Sequence, residues 1–261
     1  MKQFFLLLIF FCTLACTHSQ QTANPIAADS VTKKSQLPHY SQILARIIPD
    51  SVSPAFQSLY LSLKDSMRIR RNAFSLAYAN ARSTTEKNSV LDSAAAYLQR
   101  TVVNDVFPFW YGTTWDFNGI TETPRSGFIA CGYFVSTTLK HAGFNLNRYK
   151  LAQQYSHSIV NTLSADVKTF TNLPAMIAYL QTQPDNLYTI GLDNHVGFIN
   201  KKGSDITFIH SSYVSPGYVT SEQAAQSLVL TYSNLYVLGN VTANRTLLLR
   251  WLQGEAIVIL P

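Results

Sequence analysis

The stretch "GFIACGYFVSTTLKHAGFNLNR", residues 127–148, sets Cys131 where an apolar run meets a segment of helical period. Val135 and Leu139 follow Cys131 at four-residue steps, and Gly143 stands where a helix C-terminal cap belongs. The spacing predicts a helix that opens at Cys131 and runs to Ala142. A helix N-terminus carries unpaired N–H groups and a partial positive charge, which favour an anion there. A thiol in that place is expected to ionise below the ordinary value of about 8.5 and to act as a nucleophile. Position alone leaves two roles open for Cys131, a buried small hydrophobe or a reactive thiol.

The rest of the chain bears on that choice. Its 261 residues are 47% hydrophobic and 13% charged, enough for one sizeable core or a core with a smaller module. The start, "MKQFFLLLIFFCTLAC", residues 1–16, has one basic residue and then an apolar run too short to span a bilayer. It reads as an export signal. A cysteine directly after a small residue at the end of such a signal resembles the bacterial lipobox, which makes Cys16 the lipidated first residue of the mature chain. Residues 1–15 are then a signal peptide and the protein is a lipoprotein of the cell envelope; an ordinary cleaved signal is the alternative. Of the three cysteines, Cys12 leaves with the signal and Cys16 carries lipid, so Cys131 has no disulfide partner. The formal net charge of +6 comes from scattered basic residues without a basic tract, a solubilising surface that argues against nucleic-acid binding.

Residues 16–36 are polar and aperiodic and read as a tether. Residues 37–105 read as a helical region, with apolar spacing from Phe56 to Leu76 after a Ser53-Pro54 start and a second helix over residues 89–106. "FPFWYGTTWDFNGITETPRSG", residues 107–127, reads as an aromatic-rich loop that either fills the core or walls a cleft beside Cys131. Residues 174–181 read as a short helix. Strand signals follow in "LYTIGL", "HVGFIN", "DITFIHSS" and "NLYVLGNV", before a last helix in "RTLLLRWLQG". Residues 106–261 form the expected catalytic domain.

A nucleophilic thiol needs a base within reach and a third group to hold that base. His195 opens one expected strand and His210 ends the next. A single strand histidine is ordinarily a core or edge residue, but two at matching ends of a hairpin make a candidate pair. A two-residue turn centred on Lys202-Gly203, or a four-residue loop over 201–204, sets His195 directly opposite His210 with Cβ atoms about 5 Å apart. A three-residue loop turns His210 to the other face.

These residues resemble the NlpC-type family of cell-wall peptidases and amidases, which have a papain-like fold. The family's D-C-S-G-[LF]-[VI] is met by "ACGYFV" at Cys131, Phe134 and Val135; its H-V-G-[IF] is met by "HVGF" at His195; and its I-H-[AS] is met by "FIHS" at His210. Ala130, Gly132 and Tyr133 depart from the first motif, and "WYGTTWDFNG" stands in place of Y-x-W-G-G. The resemblance covers roughly residues 110–238.

The resemblance implies an α+β, papain-like fold with the cysteine helix packed on an antiparallel sheet. It implies a cysteine hydrolase in which Cys131 attacks an amide, His195 moves the proton and His210 orients the imidazole. Tyr111, Trp115 or Asp116 would take the place of the tyrosine that helps to hold the reacting carbonyl. The expected substrate is a peptidoglycan stem peptide or another amide, met by a monomer held at the membrane through its lipid. No cofactor is implied, and neither His18, His39, His141 nor His157 shows metal-ligand spacing. The alternatives are a binding lipoprotein that keeps the fold without the chemistry, and a thiol amidase or acyltransferase with a substrate outside the wall.

Overall fold

Ser53 opens the first helix: its Oγ accepts the Phe56 N–H at 3.1 Å, and Pro54 sits in the first turn where its missing N–H does no harm. The structure, a computed structural model, describes residues 53–261. The expected signal peptide, the Cys16 lipidation site, the tether and residues 37–52 lie outside the described residues. Helix α1 (Pro54–Asn80) leads into α2 (Thr84–Thr101), which begins with a reciprocal capping box between Ser83 and Glu86. A π-helical turn (Val102–Val106) then passes into the short α3 (Phe107–Trp110).

The next helix is α4 (Cys131–His141), opening at Cys131 as the spacing predicts. After it come α5 (Arg148–Ala152) and α6 (Ser156–Leu163), and α7 (Leu173–Thr182) lies between the first two strands. The strands are β1 (Ala165–Phe170), β2 (Asn186–Leu192), β3 (Val196–Lys202), β4 (Asp205–Ser211), β5 (Val219–Gln223) and β6 (Tyr236–Asn240). The short α8 (Leu228–Thr231) precedes β6, and α9 (Arg245–Gln253) follows it. One antiparallel sheet runs in the order β1-β6-β2-β3-β4-β5. The architecture is therefore α+β.

The sheet separates two apolar layers. One face, with Val196, Phe198 and Ile209, packs on α4 through Phe134, Val135 and Leu139; the other, with Ile190, Ile199 and Phe208, is covered by Met176 and Leu180 of α7 and by Leu230. Phe56, Tyr60 and Leu63 of α1 and Leu98 of α2 enter the same core as α4. The N-terminal helices and the sheet thus share their burial. Phe107, Phe109 and Trp110, from the segment read as a loop, are fully buried in this core. Each such aromatic side chain contributes roughly 1.5–3 kcal/mol of transfer free energy. The Trp110 indole N–H donates to Tyr60 Oη at 2.7 Å, and that hydroxyl lies 2.9 Å from His141 Nδ1, near the end of α4.

The β3–β4 hairpin turns on Gly203 and Ser204, because Lys202 pairs with Asp205 and Phe198 with Ile209. Gly203, at φ +59°, takes the first central position, which a two-residue hairpin turn of type II′ reserves for positive φ. Asp185 holds that turn by accepting the Gly203 N–H at 2.8 Å and the Lys201 ammonium at 2.9 Å. The register expected from Lys202-Gly203 is therefore displaced by two. Continuing the observed pairing puts Gly197, not His195, across from His210. Because the displacement is even, both histidines stay on one face, as diagonal neighbours.

Candidate active site

The loop before Cys131 is tied down by backbone and side-chain bonds. Ile129 N–H donates to Thr114 O at 2.9 Å, Ala130 N–H to Gly119 O at 2.8 Å, and the Ser211 hydroxyl, at the end of β4, donates to Ile129 O at 2.7 Å. Ala130 is the extended cap residue of α4 and offers no side-chain acceptor to the helix. The N–H groups of Cys131 and Gly132 are left to face the Cys131 sulfur, together with the N–H of Val196 at the start of β3. Gly132 is a glycine because a Cβ there would meet Ala152 O at 2.6 Å. This contact accounts for the departure at Gly132 from the small polar residue of the resemblance.

Burial reverses the expected direction of the thiol's acidity. It pushes the Cys131 thiol up, and the three N–H groups, which pull it down, only partly offset the loss of solvent. Burial also holds His195 well below the ordinary histidine range, with a smaller contribution from His210. Both shifts favour the neutral forms, a thiol at Cys131 and an imidazole at His195. The expectation of a depressed thiol is corrected: a helix N-terminus stabilises an anion, but desolvation of a half-buried sulfur is the larger effect here.

His195 and His210 are both buried, and His195 Nε2 lies 2.9 Å from His210 Nδ1 with the rings nearly perpendicular, at 88°. His210 Nε2 in turn lies 3.1 Å from Glu222 Oε1 on β5. Phe208 stacks on the His210 ring, with centroids 4.0 Å apart. Burial lowers the His210 pKa against the opposing pull of the Glu222 carboxylate. The hydrogen bonds from His210 and from Ser227, the cap residue of α8, keep Glu222 below the usual carboxylate range. Glu222 escaped the sequence reading because "VTSEQ" carries no apolar strand signal. Only its pairing with β4 brings it to the histidines.

The remaining candidates separate. Tyr111 is bound through its hydroxyl to Ser221 and its acidity is pushed down, with a pKa of about 12, by burial. Trp115 packs against Tyr213, with ring centroids 6.2 Å apart, and Tyr213 packs edge-on against His195 at 5.2 Å. Burial raises the Tyr213 pKa, and Cys131 and Asp193 add to the rise. Tyr213 therefore stands beside Cys131 and His195, a position that its sequence context, after "HSS", does not reveal. Asp116 is exposed, and its Oδ1 accepts the Asn118 N–H at 2.8 Å in its own turn. Among the described residues, no group of three or more His, Cys, Asp or Glu side chains is arranged to hold a metal ion.

The arrangement offers a thiol under three N–H donors, an imidazole with one nitrogen bound and a polar chain behind it. Comparisons of the chain with family models, with curated proteins and with solved structures give no match.

Proposed function

We propose that this protein is an exported cysteine hydrolase of papain-like, NlpC-type character that cleaves amide bonds, with peptidoglycan stem peptides as its substrate. The observation that carries this reading is the 2.9 Å bond between His195 and His210 at the sheet end where the Cys131 sulfur meets the Val196 N–H. The His195 Nδ1 is not the nitrogen held by His210 and is the one left to serve as base. In the reaction, Cys131 Sγ attacks the amide carbonyl carbon while its proton passes to His195. The imidazolium then protonates the leaving nitrogen, the C–N bond breaks and a thioester remains, which water hydrolyses with His195 again as base. Backbone N–H groups at the start of α4 stabilise the oxyanion. Cys16, with its lipid, would hold the protein in the envelope beside this substrate.

The test is incubation of the purified protein with muropeptides, read by mass spectrometry. A cleaved product that disappears in Cys131→Ala supports the reading; intact muropeptides remove the substrate assignment. The raised thiol pKa, caused by burial, favours a second reading, a binding lipoprotein with an inert cysteine. Iodoacetamide separates the two, since an inert Cys131 is labelled only after denaturation.

A further inference from the structure

We propose that Glu222 is a positioning residue that sets the protonation pattern of both histidines and so leaves His195 Nδ1 as the free base. The proposal rests on the reading of Cys131 as nucleophile and His195 as base. His195, just before β3, His210 on β4 and Glu222 on β5 run obliquely across the sheet, and the register, extended to His195, sets each two residues out of direct pairing with the next. An ionised carboxylate only accepts hydrogen bonds. Glu222 Oε1 at 3.1 Å therefore places the proton of His210 on Nε2. A neutral His210 then has a lone pair on Nδ1, and at 2.9 Å that nitrogen accepts from His195 Nε2–H. The remaining nitrogen of His195, Nδ1, is left with its lone pair and takes the Cys131 Sγ–H proton.

Three features hold Glu222 to this task. The Ser227 side chain binds the carboxylate, and Ser227 is itself buried as the cap of α8. Phe208 covers the His210 ring. Gly197 leaves the space across from it, since a Cβ there would approach the Phe208 ring to 2.7 Å. Without the carboxylate, His210 would be free to carry its proton on either nitrogen. With it on Nδ1, His195 would have to reverse, and its Nδ1 would cease to be a base.

The experiment is long-range proton–nitrogen NMR of the protein labelled with 15N-histidine, for wild type, Glu222→Ala and Glu222→Gln. Wild type is expected to show both histidines protonated on Nε2. Glu222→Ala is expected to show mixed tautomers at both, and Glu222→Gln, whose amide oxygen still accepts, to restore the wild-type pattern. Alkylation of Cys131 near neutral pH should slow by about tenfold in Glu222→Ala and recover in Glu222→Gln, as loss of a general base predicts. A wild-type His195 protonated on Nδ1, or tautomers unchanged in Glu222→Ala, overturns the proposal. If Glu222→Ala fails to fold, Glu222→Leu, which also lacks an acceptor, replaces it: mixed tautomers there support the proposal, and the wild-type pattern there overturns it. Locked tautomers in a protein that leaves muropeptides intact would count against the substrate alone.

Discussion

Gly197 leaves the volume in which the His210 side chain sits: a Cβ on Gly197 would lie 2.9 Å from the His210 Cβ and 2.7 Å from the Phe208 ring. The glycine is adjacent to Val196, whose N–H faces the Cys131 sulfur, so one small residue serves both the strand and the pair of imidazoles. Gly197→Ala should destabilise the protein by about 1–3 kcal/mol, the usual penalty for overpacking. It should also slow Cys131 alkylation by displacing His210. Melting and alkylation rate check the two effects, and an unaltered rate would remove Gly197 from the site.

Cys131 is pushed up by burial and His195 well down, so no thiolate–imidazolium pair is expected at neutral pH. The rate of iodoacetamide labelling should rise with pH through an inflection above a free thiol's value of about 8.5. His195→Ala should depress the rate on the neutral side of that inflection, where proton removal depends on a base. An inflection well below it would show that a charged pair forms after all.

His141 is held down to about 4 by burial, first, and by the charge of Lys64, second; Glu122 pulls the other way and Lys140 adds to the lowering. The sign follows from proton binding: the folded state binds a proton on His141 less readily than the unfolded chain. The associated stability is complete above about 6.5 and is lost as the pH falls towards 4, amounting to roughly 3 kcal/mol. His195 and His210 add a dependence of the same sign. The difference between wild type and His141→Gln in denaturant midpoints from about pH 7 to 4 isolates the His141 contribution.

Tyr60→Phe removes the acceptor of the Trp110 indole N–H and the partner of His141 Nδ1 in the shared core. A loss of about 1–3 kcal/mol is expected for buried polar groups left unpaired. Cys131 alkylation in the folded variant should be unchanged. If the melting point does not fall, the Tyr60 bonds do not hold α1 to the core.

Tyr111→Phe should leave turnover near that of wild type, since its hydroxyl is spent on Ser221. Tyr213→Ala should lower kcat/KM, because its ring packs on His195 and stands beside Cys131. Steady-state rates with muropeptides, the substrate proposed above, compare them directly. The opposite ranking would return the carbonyl-holding role to Tyr111.

Local chemistry marked α1, α2, α4, α7 and α9 and strands β2, β3, β4 and β6, whereas β1, β5 and the short helices were not legible in it. The four-residue steps from Cys131 set the start of α4, and alternation in "HVGFIN" and "DITFIHSS" set two strands whose histidines share a face. Parity protected that last inference, since a displacement of two leaves the face unchanged. The displacement goes with Asp185, just before β2, accepting the Gly203 N–H; no reading of "NKKGSD" contains that contact. Distant partners likewise decided that Phe107 and Trp110 fill the core and that Glu222 reaches His210 from the edge strand. The acidity of Cys131 is the clearest division. The helix N-terminus and its stabilising N–H groups are local and legible, whereas desolvation depends on everything that packs around the sulfur and outweighs them.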